Sequence, residues 1–121
     1  MPDLGSASDQ RCEESHFARQ LLRLQQTRKK QFAPMEITGP GWNLMLTLFA
    51  VPPESAGLGV GQVAEQADIP RTTAIRWLRR LEHHKLVRLV ADPADKRVIR
   101  VNLTRAGRGG MHASFTAALS T

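Results

Sequence analysis

The chain has 121 residues, 41% of them hydrophobic and 23% charged, with one cysteine and a net charge of +6. That length suits one domain with a modest core, and that balance excludes a disordered chain. No apolar run approaches the roughly 18 residues of a membrane span, MPDLGSASDQ lacks the basic and apolar parts of a signal peptide, and Cys12 alone cannot close an internal disulfide, so a cytoplasmic protein is expected.

The charge is unevenly spread. Residues 1–70 hold 6 Lys+Arg against 8 Asp+Glu, and residues 71–121 hold 11 against 3. A cationic half of this kind favours a polyanionic partner, because each neutralised phosphate releases condensed counterions.

Residues 1–8 are small and polar and are expected to be a flexible N-terminus, with a single domain over 9–121. The pattern predicts a helix from about Asp9 to Phe32, with Asp9, Glu13 and Glu14 near its start and Arg28, Lys29 and Lys30 near its end. Phe17, Leu21 and Leu24 fall at i, i+4 and i+7 and form an apolar face, with Leu22 beside it. A helix of about 24 residues is long for a small domain, and part of it is expected to pack on another chain.

Pro34 and Thr38-Gly39-Pro40-Gly41 interrupt that helix, and a second runs from about Pro40 or Gly41 to Ala50. Trp42, Leu44, Met45, Leu46, Leu48 and Phe49 make it apolar on most sides, which places it in the core. Trp42 has a second reading, as the wall of a ligand pocket between the first two helices. Pro52-Pro53 ends the helix, and Leu58–Val60 could add a short edge strand.

Gly61–Asp68 predicts a short helix with Val63, Ala64 and Ala67 inward, and Asp68-Ile69-Pro70 a tight turn. Pro70 suits the first position of the next helix, which runs to about His84. Two helices joined by so short a turn, over 61–84, form a helix-turn-helix. Ala74, Trp77, Leu78 and Leu81 share the inward face of the second helix. Arg71, Thr72, Ile75, Arg76, Arg79, Arg80 and His83 point elsewhere. Ile75 among arginines reads either as an apolar contact to a thymine methyl or as partial burial beside Trp77.

The segment 86–103 predicts a two-stranded antiparallel ribbon, Leu86–Val90 and Val98–Leu103, with Arg88 and Arg100 on its outside. Its connector ADPADKR carries Lys96 and Arg97 at the tip. Thr104 is a good N-cap for a final helix over Arg105–Leu119, which Gly107, Gly109 and Gly110 weaken and which Met111 and Phe115 should anchor.

The fold class is therefore mainly α with a small β-ribbon: a winged helix-turn-helix with a long N-terminal helix and one C-terminal helix. Two adjoining motifs, IPRTTAIRWLRRLEHHKLV (69–87) and DPADKRVIRVNLTRAG (92–107), resemble the recognition helix and wing of the MarR-type bacterial transcription regulators. The resemblance implies a homodimer on a palindromic double-stranded DNA site. The DNA-contacting residues would be Arg71, Thr72, Thr73, Ile75, Arg76, Arg79, Arg80, Lys96 and Arg97, with Asp95 orienting Arg97 in the minor groove. It also implies dimerisation through helices 9–32 and 104–120, by way of Phe17, Leu21, Leu24, Met111 and Phe115, and a small aromatic effector in some relatives. The sequence departs from the family at Lys85, where a glycine is usual, so that turn is expected to close differently. It also runs only to Thr121, short of the family's two long C-terminal helices.

Some relatives sense peroxide through a cysteine in the first helix, but Glu13 and Glu14 beside Cys12 disfavour its thiolate. No acid, base and nucleophile converge in the sequence, so no enzyme is expected. No cofactor or metal is expected either, since His83 and His84, being adjacent on a helix, should diverge by about 100°. The alternative to a DNA-binding regulator is a winged-helix protein-interaction module that pairs with another regulator.

Overall fold

The structure, a computed structural model, describes residues 4–52 and 55–121, and the side chains from residue 9 onward in its first helix. The first helix, α1 (Leu4–Phe32), starts five residues before the expected Asp9, so residues 4–8 are helical rather than flexible, while residues 1–3 lie outside the described residues. Its body holds no proline and, from residue 6, no glycine. Thr27 is its one β-branched residue, and straight-chain side chains dominate. The earlier start leaves no acidic residue in the first turn, so the expected complement to the helix dipole exists only at the other end, at Lys29 and Lys30. Pro34 then bars the preceding residue from helical geometry.

The second helix, α2 (Gly39–Ala50), carries a proline in its first positions and buries Gly41, Leu44, Met45 and Leu48. Of the expected helix stop Pro52-Pro53, Pro53 lies outside the described residues, as does residue 54. A two-residue strand β1 (Leu58–Gly59) leads into α3 (Val60–Gln66), one residue earlier than expected. There the Gln62 side-chain oxygen accepts a 2.9 Å hydrogen bond from the Gly59 amide and ties down the helix start.

The next helix, α4, spans Arg71–His83. Pro70 caps it rather than filling its first position, and its carbonyl accepts from the Ala74 amide at 2.9 Å. At the far end, Lys85 stands in the left-handed region at φ 62°. Its amide donates to Glu82 O at 2.9 Å and the Leu86 amide to Leu81 O at 2.9 Å. That pair of bonds is the Schellman motif, completed by contact between two buried leucines, Leu81 and Leu86. The expectation that this turn closes differently is thus corrected: it closes as a glycine turn does, with a lysine bearing the left-handed backbone.

The strands β2 (Val87–Ala91) and β3 (Ile99–Leu103) pair antiparallel from Val87↔Leu103 to Ala91↔Ile99. With β1 they form a three-stranded sheet in the order β1-β3-β2, so the expected two-stranded ribbon gains an edge strand at Leu58. The last helix, α5 (Arg105–Leu119), is capped by the Thr104 hydroxyl, which accepts from the Gly107 amide at 3.0 Å. Gly107 is small for a reason: a Cβ there would collide with the Leu86 carbonyl.

The core gathers Phe32, Met35, Ile37, Leu44, Met45, Val63, Leu78, Leu81, Val101 and Met111 between the helices and the base of the sheet. α5 lies along α1, but its 15 residues reach about 22 Å and α1's 29 about 43 Å, and residues 9–19 of α1 are exposed among the described residues. No helix among the described residues is long and apolar enough to cross a membrane.

Candidate nucleic-acid interface

The face of α4 opposite its buried Ala74, Leu78 and Leu81 is a stripe of exposed Thr72, Arg76, Arg79 and His83. Burial of three apolar side chains on one side fixes the helix, and the long cations on the other side stay free in water. Arg71 is exposed at the first turn. Arg80 is exposed too, but its guanidinium lies 4.5 Å from the Trp77 ring centre. Thr73 is half-buried, on the Trp77 side of the helix and off the exposed stripe. Trp77, expected on the inward face, packs against the core but is half-buried, covering Gly41 of α2 where any Cβ would strike its ring. Ile75 is half-buried on the other flank, away from Trp77, and faces the sheet.

At the tip of the β2–β3 hairpin, Asp95 and Arg97 form a two-pronged pair: Arg97 Nε to Asp95 Oδ1 at 3.1 Å and Nη2 to Oδ2 at 3.2 Å. The Arg97 amide donates to the same Oδ1 at 3.1 Å. These bonds, the side-chain one first, hold the Asp95 carboxyl below the usual carboxylate range. Arg97 nevertheless keeps 91% of its side chain exposed, so the carboxylate orients the guanidinium without hiding it. Lys96 beside it is exposed.

Helix and hairpin meet around one groove of about 530 Å³, lined by Arg71, Ile75 and Arg79 from α4 and by Arg97, Val98 and Ile99 from the hairpin. Arg71 and Arg79 of the helix and Arg97 of the wing therefore border a single concave surface, while Arg76, Arg80 and Lys96 stand outside its lining.

Arg100, expected on the outside of the ribbon, is tied inward. Its Nε donates to Asp92 Oδ2 at 2.7 Å and its Nη1 to Gly57 O at 3.3 Å. The register shows what could have revealed this pair: Arg100 lies opposite Val90, so Asp92 is its diagonal neighbour across the strands. Sequence reasoning also missed Glu82, whose carboxylate accepts from the Leu89 amide at 3.0 Å and pins the end of α4 to β2. His83 and His84 do not diverge as expected. The helix ends at His83, and the two rings meet edge to face at 5.5 Å.

The residues assigned to dimerisation divide. Phe17 (60%) and Leu21 (44%) are exposed, as are Leu22 (57%) and, on α5, Leu119 (73%). Leu24 and Met111 are buried in the chain's own core, and half-buried Phe115 stacks on Phe49 at 5.2 Å. Leu24 and Met111 are thus packing residues within the chain, where α5 lies along α1, and Phe115 is one in part. Another unforeseen feature lies there: Arg28 sits 4.2 Å over the Trp42 ring, and its Nη1 is buried without a hydrogen-bond partner.

The fold is that of winged helix-turn-helix transcription regulators. The family profile of the IclR helix-turn-helix domain matches residues 46–91, from within α2 to the end of β2. No curated protein sequence matches the chain. Among solved structures, it is similar to MepR of S. aureus in complex with DNA, at 25% identity over 79% of this chain and 75% of that one, with a TM-score of 0.65. The YusO protein of Bacillus subtilis is 19% identical over 99% of this chain and 79% of that one, with a TM-score of 0.68. NadR in complex with 4-hydroxyphenylacetate is 22% identical over 99% and 76%, with a TM-score of 0.64.

Proposed function

We propose that this chain is a sequence-specific double-stranded-DNA-binding transcription regulator of the MarR type, with α4 in the major groove and the β2–β3 wing in the adjacent minor groove. The observation that carries this is the shared groove: α4's Arg71 and Arg79 and the wing's Arg97 border one concave surface. Thr72, Arg76 and Arg79 read base edges or phosphates, Arg71 clamps a phosphate at the helix start, and Arg97, backed by Lys96, enters the minor groove, where narrow A·T tracts concentrate negative potential. Ile75 meets a thymine methyl at the groove wall. The exposed Phe17, Leu21, Leu22 and Leu119 support a homodimer, which would place two reading helices one DNA turn apart on a palindromic site.

Selection of bound duplexes from a random pool, paired with sedimentation of the free protein, tests this. The expected result is a dimer and a two-fold-symmetric site whose affinity falls steeply with salt. A monomer that enriches no duplex would overturn it and leave the protein-interaction module.

A second reading, of an effector site, is favoured by Arg28. It lines a cleft of about 480 Å³ with Gln25, Phe32 and Ile37, and its guanidinium could pair with the carboxylate of a small aromatic acid. Titration with 4-hydroxyphenylacetate should quench Trp42 emission in the wild type and not in Arg28→Met. Unchanged emission in both removes the site.

A further inference from the structure

We propose that Arg100 is a positioning residue for the wing: it braces the turn that carries Arg97 against the loop before β1, and so sets the protein's preference for the bases flanking its site without touching DNA. The inference rests on the DNA-binding reading above.

The brace can be followed bond by bond. Arg100 Nη1 donates to Gly57 O at 3.3 Å and its Nε to Asp92 Oδ2 at 2.7 Å. The other oxygen of Asp92 accepts from the Ala94 amide at 2.7 Å and the Asp95 amide at 3.4 Å, which folds the turn. Asp95 in turn grips Arg97 through both carboxylate oxygens. A continuous path thus runs from a backbone carbonyl in the loop before β1 to the guanidinium at the tip. Asp92 is only 13% exposed and Arg100 34%, whereas Arg97 is 91% exposed. One arginine is built in and the other presented.

The loop is shaped to supply the acceptor. Gly57 has φ +91°, and a Cβ there would lie 2.6 Å from Val101 O and from the Asn102 side-chain Nδ2. No residue with a side chain could bring that carbonyl so close to β3. Without the brace, the hydrogen bonds that join the tip to the body among the described residues are those of the β2–β3 ladder, since β1 pairs with β3 only at Leu58 and Gly59. A two-stranded ribbon twists readily, and a shift of Arg97 would change which minor-groove width it fits.

Two measurements test this on the full chain. The first needs no DNA. Hydrogen exchange at the amides of Ala94, Asp95 and Arg97 should quicken in Arg100→Met, roughly three- to tenfold, while Ala74–Leu81 are unchanged. The same rates as wild type would overturn the brace. The second compares the selected duplex with A·T-rich and with G·C-rich flanks. Wild type should prefer the A·T flanks, and Arg97→Ala should lose that preference. Arg100→Met should lose most of it with its salt slope intact, and the double variant should lose no more than Arg97→Ala. Arg100→Lys keeps the charge but not the two-armed geometry, and should behave like Arg100→Met. A salt slope reduced by about one unit in Arg100→Met would instead make Arg100 a phosphate contact and overturn the proposal. If wild type binds no duplex, the DNA-binding reading fails while hydrogen exchange still decides the brace.

Discussion

α4 and the wing tip both present arginines to one groove, yet they are held by different physics. α4 is fixed by burying Ala74, Leu78 and Leu81, and among the described residues its exposed arginines pair with no carboxylate, while Arg80 lies on Trp77. The wing tip buries no large apolar side chain fully and is fixed by a polar relay through Asp92, Arg100, Asp95 and Arg97. Hydrophobic burial is indifferent to pH and to moderate salt, while charge-assisted hydrogen bonds respond to pH. Two parts of one surface should therefore fail under different conditions.

The strongest way to break the comparison is to remove the buried anchor. Leu78→Ala should destabilise the whole domain by about 2–5 kcal/mol, read as a lower urea midpoint, and helix and wing signals should be lost together. A wing that outlives the helix would show that the two are separate folding units. Next in size is affinity. Arg76→Ala should weaken the selected duplex by about 1–3 kcal/mol, on either flank. Arg97→Ala should weaken it chiefly where the flanks are A·T-rich. Equal losses on both flanks for Arg97→Ala would erase the distinction between the two probes.

Acid sharpens the contrast. The Asp92 carboxyl is held below its ordinary range by the Ala94 amide first and by Arg100 next, and Asp95 by Arg97. Both folded values are depressed. Their stabilisation is therefore present above the unfolded value of about 3.9 and lost as pH falls through the lower folded values. In 15N–1H spectra, the signals of Asp95 and Arg97 should move below about pH 4 while those of Ala74–Leu81 hold. Concerted movement of both groups would contradict the polar-relay account. The smallest expected effect is a gain. Lys85→Gly relieves a left-handed backbone that costs an ordinary residue about 1–2 kcal/mol, partly offset by glycine's freedom in the unfolded chain. The net rise should be at most about 1 kcal/mol, or a few degrees in Tm. A lower Tm would mean that the lysine side chain contributes more than its backbone strain removes.

The same contrast marks what was readable in advance. The helix-turn-helix and wing were legible because their order rests on local patterns: apolar residues at helical spacing through Leu81, a proline turn at Pro70, and alternation in both strands. Asp95 beside Arg97 could be paired because only one residue separates them. The partner of Arg100 could not be found without the strand register, which joins positions eight apart. Lys85 carries no signal of its left-handed backbone, because that geometry is imposed by Leu81 and Leu86 closing over it. The division of α1 into covered and uncovered residues was hidden for a related reason: Phe17, Leu21 and Leu24 share one face, and only the position of α5 along that face decides which of them is buried.

Thr104 serves both ends of that arrangement. Its hydroxyl caps α5 and donates to Lys85 O at 2.6 Å, and its amide donates to Leu86 O at 3.0 Å. Mechanically this is a pivot, where the exit of α4 and the root of α5 share one pin. A 5° tilt of α5 about that pin moves its far end by about 2 Å, given a length of about 22 Å, while the carbonyls of Lys85 and Leu86 barely move. A slide of α5 along its own axis has no such relief, because Gly107 already touches Leu86. A push along α5 therefore meets the backbone at the end of α4, whereas a tilt of α5 has to be taken up in its packing along α1.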